Sequence, residues 1–165
     1  MGTRTAIPIE EYLHTVFEGP DREFRDGEVV ERSMPDLSHG ECQGMLAAFF
    51  VARKKRLNLY PCTETRMRLP NQRVLIPDVA VFHLARPSEV PDTPPLVVIE
   101  ITSPDDRLSE VRAKLEEYRT WGVPHVWLVD PHLRRFYTCE DKLREVESLC
   151  IEELGVELTP TEAFV

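Results

Sequence analysis

Two carboxylates in this chain occupy positions where a charge is costly. Glu100 stands near the end of Leu96-Val97-Val98-Ile99-Glu100-Ile101, an unbroken Val/Ile-rich run of the kind that forms a strand buried on both faces. Asp78 follows Pro77 and leads into Val79, Ala80, Val81 and Phe82, a second short apolar strand with an acid at its mouth. A carboxylate in such a setting needs a partner, a metal ion or a raised pKa, and two of them can hold one divalent cation between them. Oxygen ligands suit Mg²⁺ or Mn²⁺, and Asp78, Glu100 and the backbone carbonyl of Ile101 would supply them. A metal bound there would lower the pKa of a water and stabilise charge on a phosphoryl oxygen.

Such chemistry also needs a cation near the attacking water. Alternation along the strand puts Thr102 on the same face as Glu100, but a threonine carries no charge. The segment after it, Leu108 to Gly122, has Leu108, Val111, Leu115 and Tyr118 at helical spacing. At about 100° per residue, Lys114 and Arg112 each fall about 80° from the centre of that apolar stripe, on opposite edges. Either long side chain can lay its methylenes along the core and carry its charge beyond them, so the helical wheel leaves both open.

The remaining elements position these groups. Ile9, Leu13, Val16 and Phe17 define a short packing helix stopped by Gly19-Pro20. Glu23 to Arg25 and Glu28 to Glu31 read as a hairpin turned by Asp26-Gly27. Ser38 caps a helix carrying Met45, Leu46, Phe49 and Phe50 that ends near the basic run Arg53, Lys54, Lys55 and Arg56. Tyr60 to Leu69 and Val74 to Phe82 read as two strands joined by a turn at Pro70 to Arg73, and Pro87 to Pro95 is a loop. Val126 to Val129 and Arg135 to Cys139 are further strands, followed by a charged segment from Glu140 to Glu147. The expectation is one α/β domain spanning residues 1–165, a mixed sheet flanked by helices with an N-terminal helix and hairpin added.

Composition narrows the function. A net charge of -9 argues against coating nucleic acid by bulk electrostatics, since neutralising phosphates takes clustered Lys and Arg; Arg53 to Arg56 is the local candidate for a nucleic-acid contact. Cys42, Cys62, Cys139 and Cys150 are dispersed, with no C-x-x-C pair, which signals neither a zinc site nor a disulfide framework. No apolar run approaches the roughly 18 residues of a membrane span, and the N-terminal stretch has no long apolar core. A soluble, cytoplasmic protein is expected, with no membrane partner.

The run from Ile76-Pro77-Asp78 through Val98-Ile99-Glu100-Ile101-Thr102-Ser103 and Lys114 to Trp127-Leu128-Val129-Asp130-Pro131 resembles the Uma family (Uma-two), restriction-endonuclease-type proteins of the PD-(D/E)XK nuclease superfamily. The likeness reaches back to Glu23-Phe24-Arg25-Asp26-Gly27 and Ser38-His39-Gly40 and forward to the last residues. It implies a restriction-endonuclease-like core and metal ligation by Asp78 and Glu100. Where the superfamily has a lysine two residues after the glutamate this chain has Thr102, and the resemblance gives the role to Lys114, with Tyr118 one turn on. Glu23 and His39 match a family acid and histidine that line the site. The reading is a Mg²⁺- or Mn²⁺-dependent endonuclease in which Lys114 orients or deprotonates the attacking water, with DNA as the implied substrate. Its acidity makes a homodimer or partner plausible. Two rivals are a catalytically silent binding protein on a nuclease scaffold and a metal-dependent hydrolase of small phosphoesters.

Overall fold

The strand carrying Glu100 is central. The computed structural model describes residues 6–165; Met1 to Thr5, the start of the N-terminal stretch read above as lacking an apolar core, lie outside the described residues. In chain order the elements are α1 (Ile9–His14), β1 (Arg22–Arg25), β2 (Glu28–Glu31), α2 (Leu37–Leu57), β3 (Leu59–Thr63), β4 (Met67–Leu69), β5 (Arg73–Leu75), β6 (Val79–His83) and β7 (Val97–Ile101). They continue with α3 (Leu108–Trp121), β8 (His125–Asp130), β9 (Arg135–Cys139), β10 (Leu143–Val146), β11 (Leu149–Ile151), β12 (Val156–Leu158) and α4 (Pro160–Ala163). Six strands form a mixed sheet in the order β10-β9-β8-β7-β6-β3. Within it β7 and β8 run parallel, which requires a crossover, and α3 provides it. The other pairings in that sheet are antiparallel.

Alternation on β7 divides the interior. Val97, Ile99 and Ile101 face α2 and pack with Leu46, Phe50 and Trp127, whereas Val98 faces α3 and packs with Leu115 and Tyr118. Glu100 belongs to the Val98 face by period two, so its charge is directed at the one helix that carries a buried lysine. A second sheet, β2-β1-β5-β4, packs α1 through Ile9, Tyr12, Phe24 and Val74.

Several boundaries differ from the sequence reading. The helix α1 ends at His14, with Thr15 extended, and Val16 is 95% exposed rather than packed. Asp36, not Ser38, caps α2, its carboxylate accepting from the backbone N–H of His39 at 2.9 Å. The two long strands expected at Tyr60 to Leu69 and Val74 to Phe82 are each broken in two, and the halves join different sheets. Glu64, with φ of 50°, breaks the first; the second breaks at Ile76 to Asp78, where Pro77 has no N–H to give a ladder. The turn at Pro70 to Arg73 is present, with Asn71 and Gln72 both at positive φ. Asp26 and Gly27 make the expected hairpin turn, both at positive φ, and the charged segment after Glu140 contributes the edge strand β10.

The α3 stripe is also narrower than the wheel suggests: Leu108 is 54% exposed, while Leu115 and Tyr118 are fully buried. Leu115→Ala should therefore cost about 2–5 kcal/mol of unfolding free energy, from lost burial plus the cavity left behind. Leu108→Ala should stay within about 0.5 kcal/mol. Urea denaturation of the two variants would check this, and equal costs would mean that α3 docks through a different face.

Candidate functional site

Antiparallel pairing of β6 with β7 sets Val79 opposite Ile99, which brings Asp78, just before β6, alongside Glu100 at the carboxyl end of β7. Both acids are buried, at 2% and 7% exposure, and both line one cleft of about 270 Å³. Each oxygen of Asp78 is held. The backbone N–H of Ile101 donates to Oδ2 at 2.6 Å, His39 Nε2 lies 3.3 Å from the same oxygen, and Arg32 Nη2 donates to Oδ1 at 2.8 Å. Ile101, whose carbonyl is the third expected ligand, lines the same cleft.

Lys114 comes down from α3 over these acids. Its Nζ lies 2.9 Å from Glu100 Oε1 and 2.7 Å from Glu23 Oε1, and donates to the Ile76 carbonyl at 3.0 Å. Three partners match the three N–H bonds of an ammonium. Arg112, the alternative on the wheel, is exposed. Tyr118, one turn along α3, donates its hydroxyl to Glu100 Oε1 at 3.0 Å. Glu23 reaches the cluster from β1, where its carboxylate also accepts from the backbone N–H of Ile76 at 2.9 Å and from Arg25 Nη2 at 2.7 Å.

The two metal-ligand candidates are tuned in opposite directions. Burial works to raise the Asp78 pKa, but His39, Lys114 and Arg32 outweigh it and hold the carboxyl below its usual range. Burial pushes Glu100 up to about 7; Lys114 opposes the rise, and Asp78 and Glu23 add to it. Lys114 is driven down by burial and up more strongly by Glu100, Glu23 and Asp78, so it stays protonated. Burial, together with Glu100 and Glu23, carries the Tyr118 phenol well above its ordinary value, leaving it a neutral donor. His39 is lowered by burial and raised further by Asp78, for a net upward shift, and its Nδ1 is buried with no hydrogen-bond partner.

Among the described residues no group of three or more His, Cys, Asp or Glu side chains is arranged to hold a metal ion. The donor chemistry fits a narrower requirement. Mg²⁺ commonly takes one or two carboxylates and keeps water or substrate oxygens in its other positions. Glu100 Oε1 is taken by Lys114 and Tyr118, which leaves Oε2, and Asp78 has one lone-pair position beyond its three donors.

The basic run is elsewhere. Arg53 lies fourteen residues beyond His39 on α2, about 21 Å along the axis, and its guanidinium sits 3.5 Å over the Phe49 ring and 3.6 Å from Glu162. Arg53 to Arg56 do not line the cleft. Arg32, Gln43 and Glu64 join the Asp78 neighbourhood without having been singled out in the sequence. No periodicity marks them, because each comes from a different element and only the tertiary fold brings them together.

Residues 9–165 match the model of the family described as "Uma2: Putative restriction endonuclease". No curated protein matches the chain. Among solved structures, a protein from Anabaena variabilis described as a putative nuclease belonging to DUF820 is similar, with a TM-score of 0.82 at 18% identity over 95% of this chain and 97% of that one. At that identity the likeness is one of fold, and it supports the restriction-endonuclease-like core. No described helix is long and apolar enough to cross a membrane.

Removing the ammonium takes from two buried carboxylates the cation that they share. Lys114→Met should cost about 3–5 kcal/mol of stability at neutral pH, the scale for breaking a buried pair from one side, and adding Glu23→Gln should recover part of that loss. A double-mutant cycle by chemical denaturation reads the coupling; strictly additive effects would show that the contact carries no energy.

Proposed function

Because the chain belongs to the Uma2 family, we propose that it is a divalent-metal-dependent endonuclease that hydrolyses phosphodiester bonds in DNA. The observation that carries this reading is the Lys114 ammonium 2.9 Å from Glu100 in the cleft that also contains Asp78. Two buried acids and a buried cation drawn from separate elements have a desolvation cost that core packing alone gives no reason to accept. The family's description as a restriction endonuclease supports DNA as the substrate; the cleft residues by themselves do not distinguish DNA from RNA.

Mg²⁺ or Mn²⁺, held by Asp78, Glu100 and the Ile101 carbonyl, would supply Lewis-acid stabilisation of phosphoryl charge and an activated water. The chain's own groups divide the remaining work. Lys114 stays protonated, so it stabilises developing negative charge and orients the attacking water instead of deprotonating it. Its three N–H bonds are engaged by Glu23, Glu100 and the Ile76 carbonyl, so contact with substrate requires one of these to be exchanged. Burial raises the Glu100 pKa to about 7, so a cation bound beside it would favour the charged form that ligation needs. Tyr118 holds the Glu100 carboxylate from the helix side through its hydroxyl.

The acids that line the cleft, Glu23, Glu31, Asp78, Glu100, Asp106 and Glu110, outnumber Arg25, Arg32, Arg107 and Lys114. A polyanion therefore needs added positive charge at the site, from the metal or from a partner surface. A second copy of the chain is one way to extend that surface.

Incubating the protein with plasmid DNA and Mn²⁺ should nick or linearise it, and Asp78→Ala should abolish the activity. In the same assay on folded protein, Lys114→Met should lose roughly 10²-fold or more, while Arg112→Met, from the exposed edge of α3, should keep activity near wild type. Activity that survives Asp78→Ala, or that needs Arg112 and not Lys114, would sink the assignment.

A further inference from the structure

Arg32 lines the cleft, but the reaction just outlined gives it no part. It follows the last residue of β2, and its backbone N–H donates to the Asp21 carbonyl at 3.1 Å, fixing it to the end of the hairpin. Its Nη2 donates to Asp78 Oδ1 at 2.8 Å, and its Nη1 pairs with Glu64 Oε2. Glu64 Oε1 in turn accepts from Gln43 Nε2 at 2.7 Å, and the same amide nitrogen donates to the backbone carbonyl of Asp78 at 2.9 Å. These bonds close a ring that leaves Asp78 through its carboxylate and returns to it through its main chain. Along the way it ties together the end of β2, the β3–β4 connection and α2. Glu64 joins the ring from the left-handed region, at φ of 50°, where non-glycine residues are uncommon.

The ring bears on which lone pair of Asp78 is left. A carboxylate offers about four acceptor positions. Oδ2 accepts from the Ile101 N–H and has the His39 Nε2 3.3 Å away as an ion-pair partner, and Oδ1 accepts from Arg32. With the carboxylate held from both oxygens, the remaining position lies on Oδ1 and its direction is fixed.

Resting on the metal-dependent reading above, we propose that Arg32 is a positioning residue: acting through Asp78, with Glu64 and Gln43 completing the ring, it holds the carboxylate plane so that the free lone pair on Oδ1 is presented to the divalent cation. The charge of Arg32 alone would act the other way, because a guanidinium beside a ligand repels an arriving cation. Geometry and charge therefore predict opposite signs.

The test measures Mn²⁺ affinity directly, from the electron paramagnetic resonance signal of free Mn²⁺, on protein shown by circular dichroism to be folded. Gln43→Met opens the ring without changing any charge, and Arg32→Lys keeps the charge but loses the planar fork. Both should weaken Mn²⁺ binding by about 10–100-fold, the usual effect of removing a group that orients a ligand. If Gln43→Met lowers the folded fraction, Arg32→Lys carries the decision. Unchanged or tighter binding in these variants, with binding still lost in Asp78→Ala, overturns the positioning role and leaves the metal-dependent reading standing. Wild-type protein that binds Mn²⁺ no better than Asp78→Ala overturns both together.

Discussion

One ammonium holds the site and much of the fold around it in a single arrangement. The Lys114 side chain descends from α3 and divides its hydrogens among Glu23 of the small sheet, Glu100 of the large sheet and the carbonyl of Ile76, in the connection that passes from one sheet to the other. Each contact satisfies a group that burial would otherwise penalise. The consequence is structural as much as chemical. α3 must dock with Leu115 and Tyr118 inward, and β1 must bring Glu23 within reach of the same ammonium. That combination gives the lysine and both glutamates an opposite charge in the interior.

Around that ammonium the acids are not equivalent. Burial acts on Asp78 and Glu100 alike, but Asp78 collects His39, Arg32 and the Ile101 N–H, whereas Glu100 faces Lys114, the neutral phenol of Tyr118 and two other acids. Environments that drive two carboxyl groups in opposite directions give them different chemical uses. Asp78, held below the usual carboxylate range, keeps its charge near neutrality. Glu100, pushed up to about 7, is the group whose charge depends most on the cation beside it.

The sequence made the central strand, the crossover helix and the two acids legible, because each rests on a local pattern: an unbroken apolar run, a helical stripe ended by Gly122 and a proline-led strand mouth. From the helical wheel alone Lys114 was legible only as one of two edge residues, and it was the family resemblance that selected it. Arg112 competed with it on equal terms, since a wheel records angle but not which neighbour lies beyond the edge. The split of Val74 to Phe82 into β5 and β6 was hidden because both halves are apolar and the change of sheet is made by backbone at Ile76 to Asp78. Arg32, Gln43 and Glu64 stayed invisible for a related reason, their association being purely tertiary: 46 residues separate Arg32 from Asp78.

Thr102 leaves the strand face beside Glu100 without a charge of its own. A strand advances about 3.3 Å per residue, so a lysine two residues past Glu100 would emerge beside it on the same face. Here β7 has already ended at Ile101, and the Thr102 N–H is spent on the carbonyl of Val129. A helix lying on that face can supply the charge from above, and Lys114 does so from the position before buried Leu115. Moving the cation to α3 couples it to helix docking in a way that a strand residue would not be. Tyr118, which also grips Glu100, sits on the same helix. Any opening that lifts α3 from the sheet removes the ammonium and the phenol together, so integrity of the site and attachment of the crossover helix are one cooperative property.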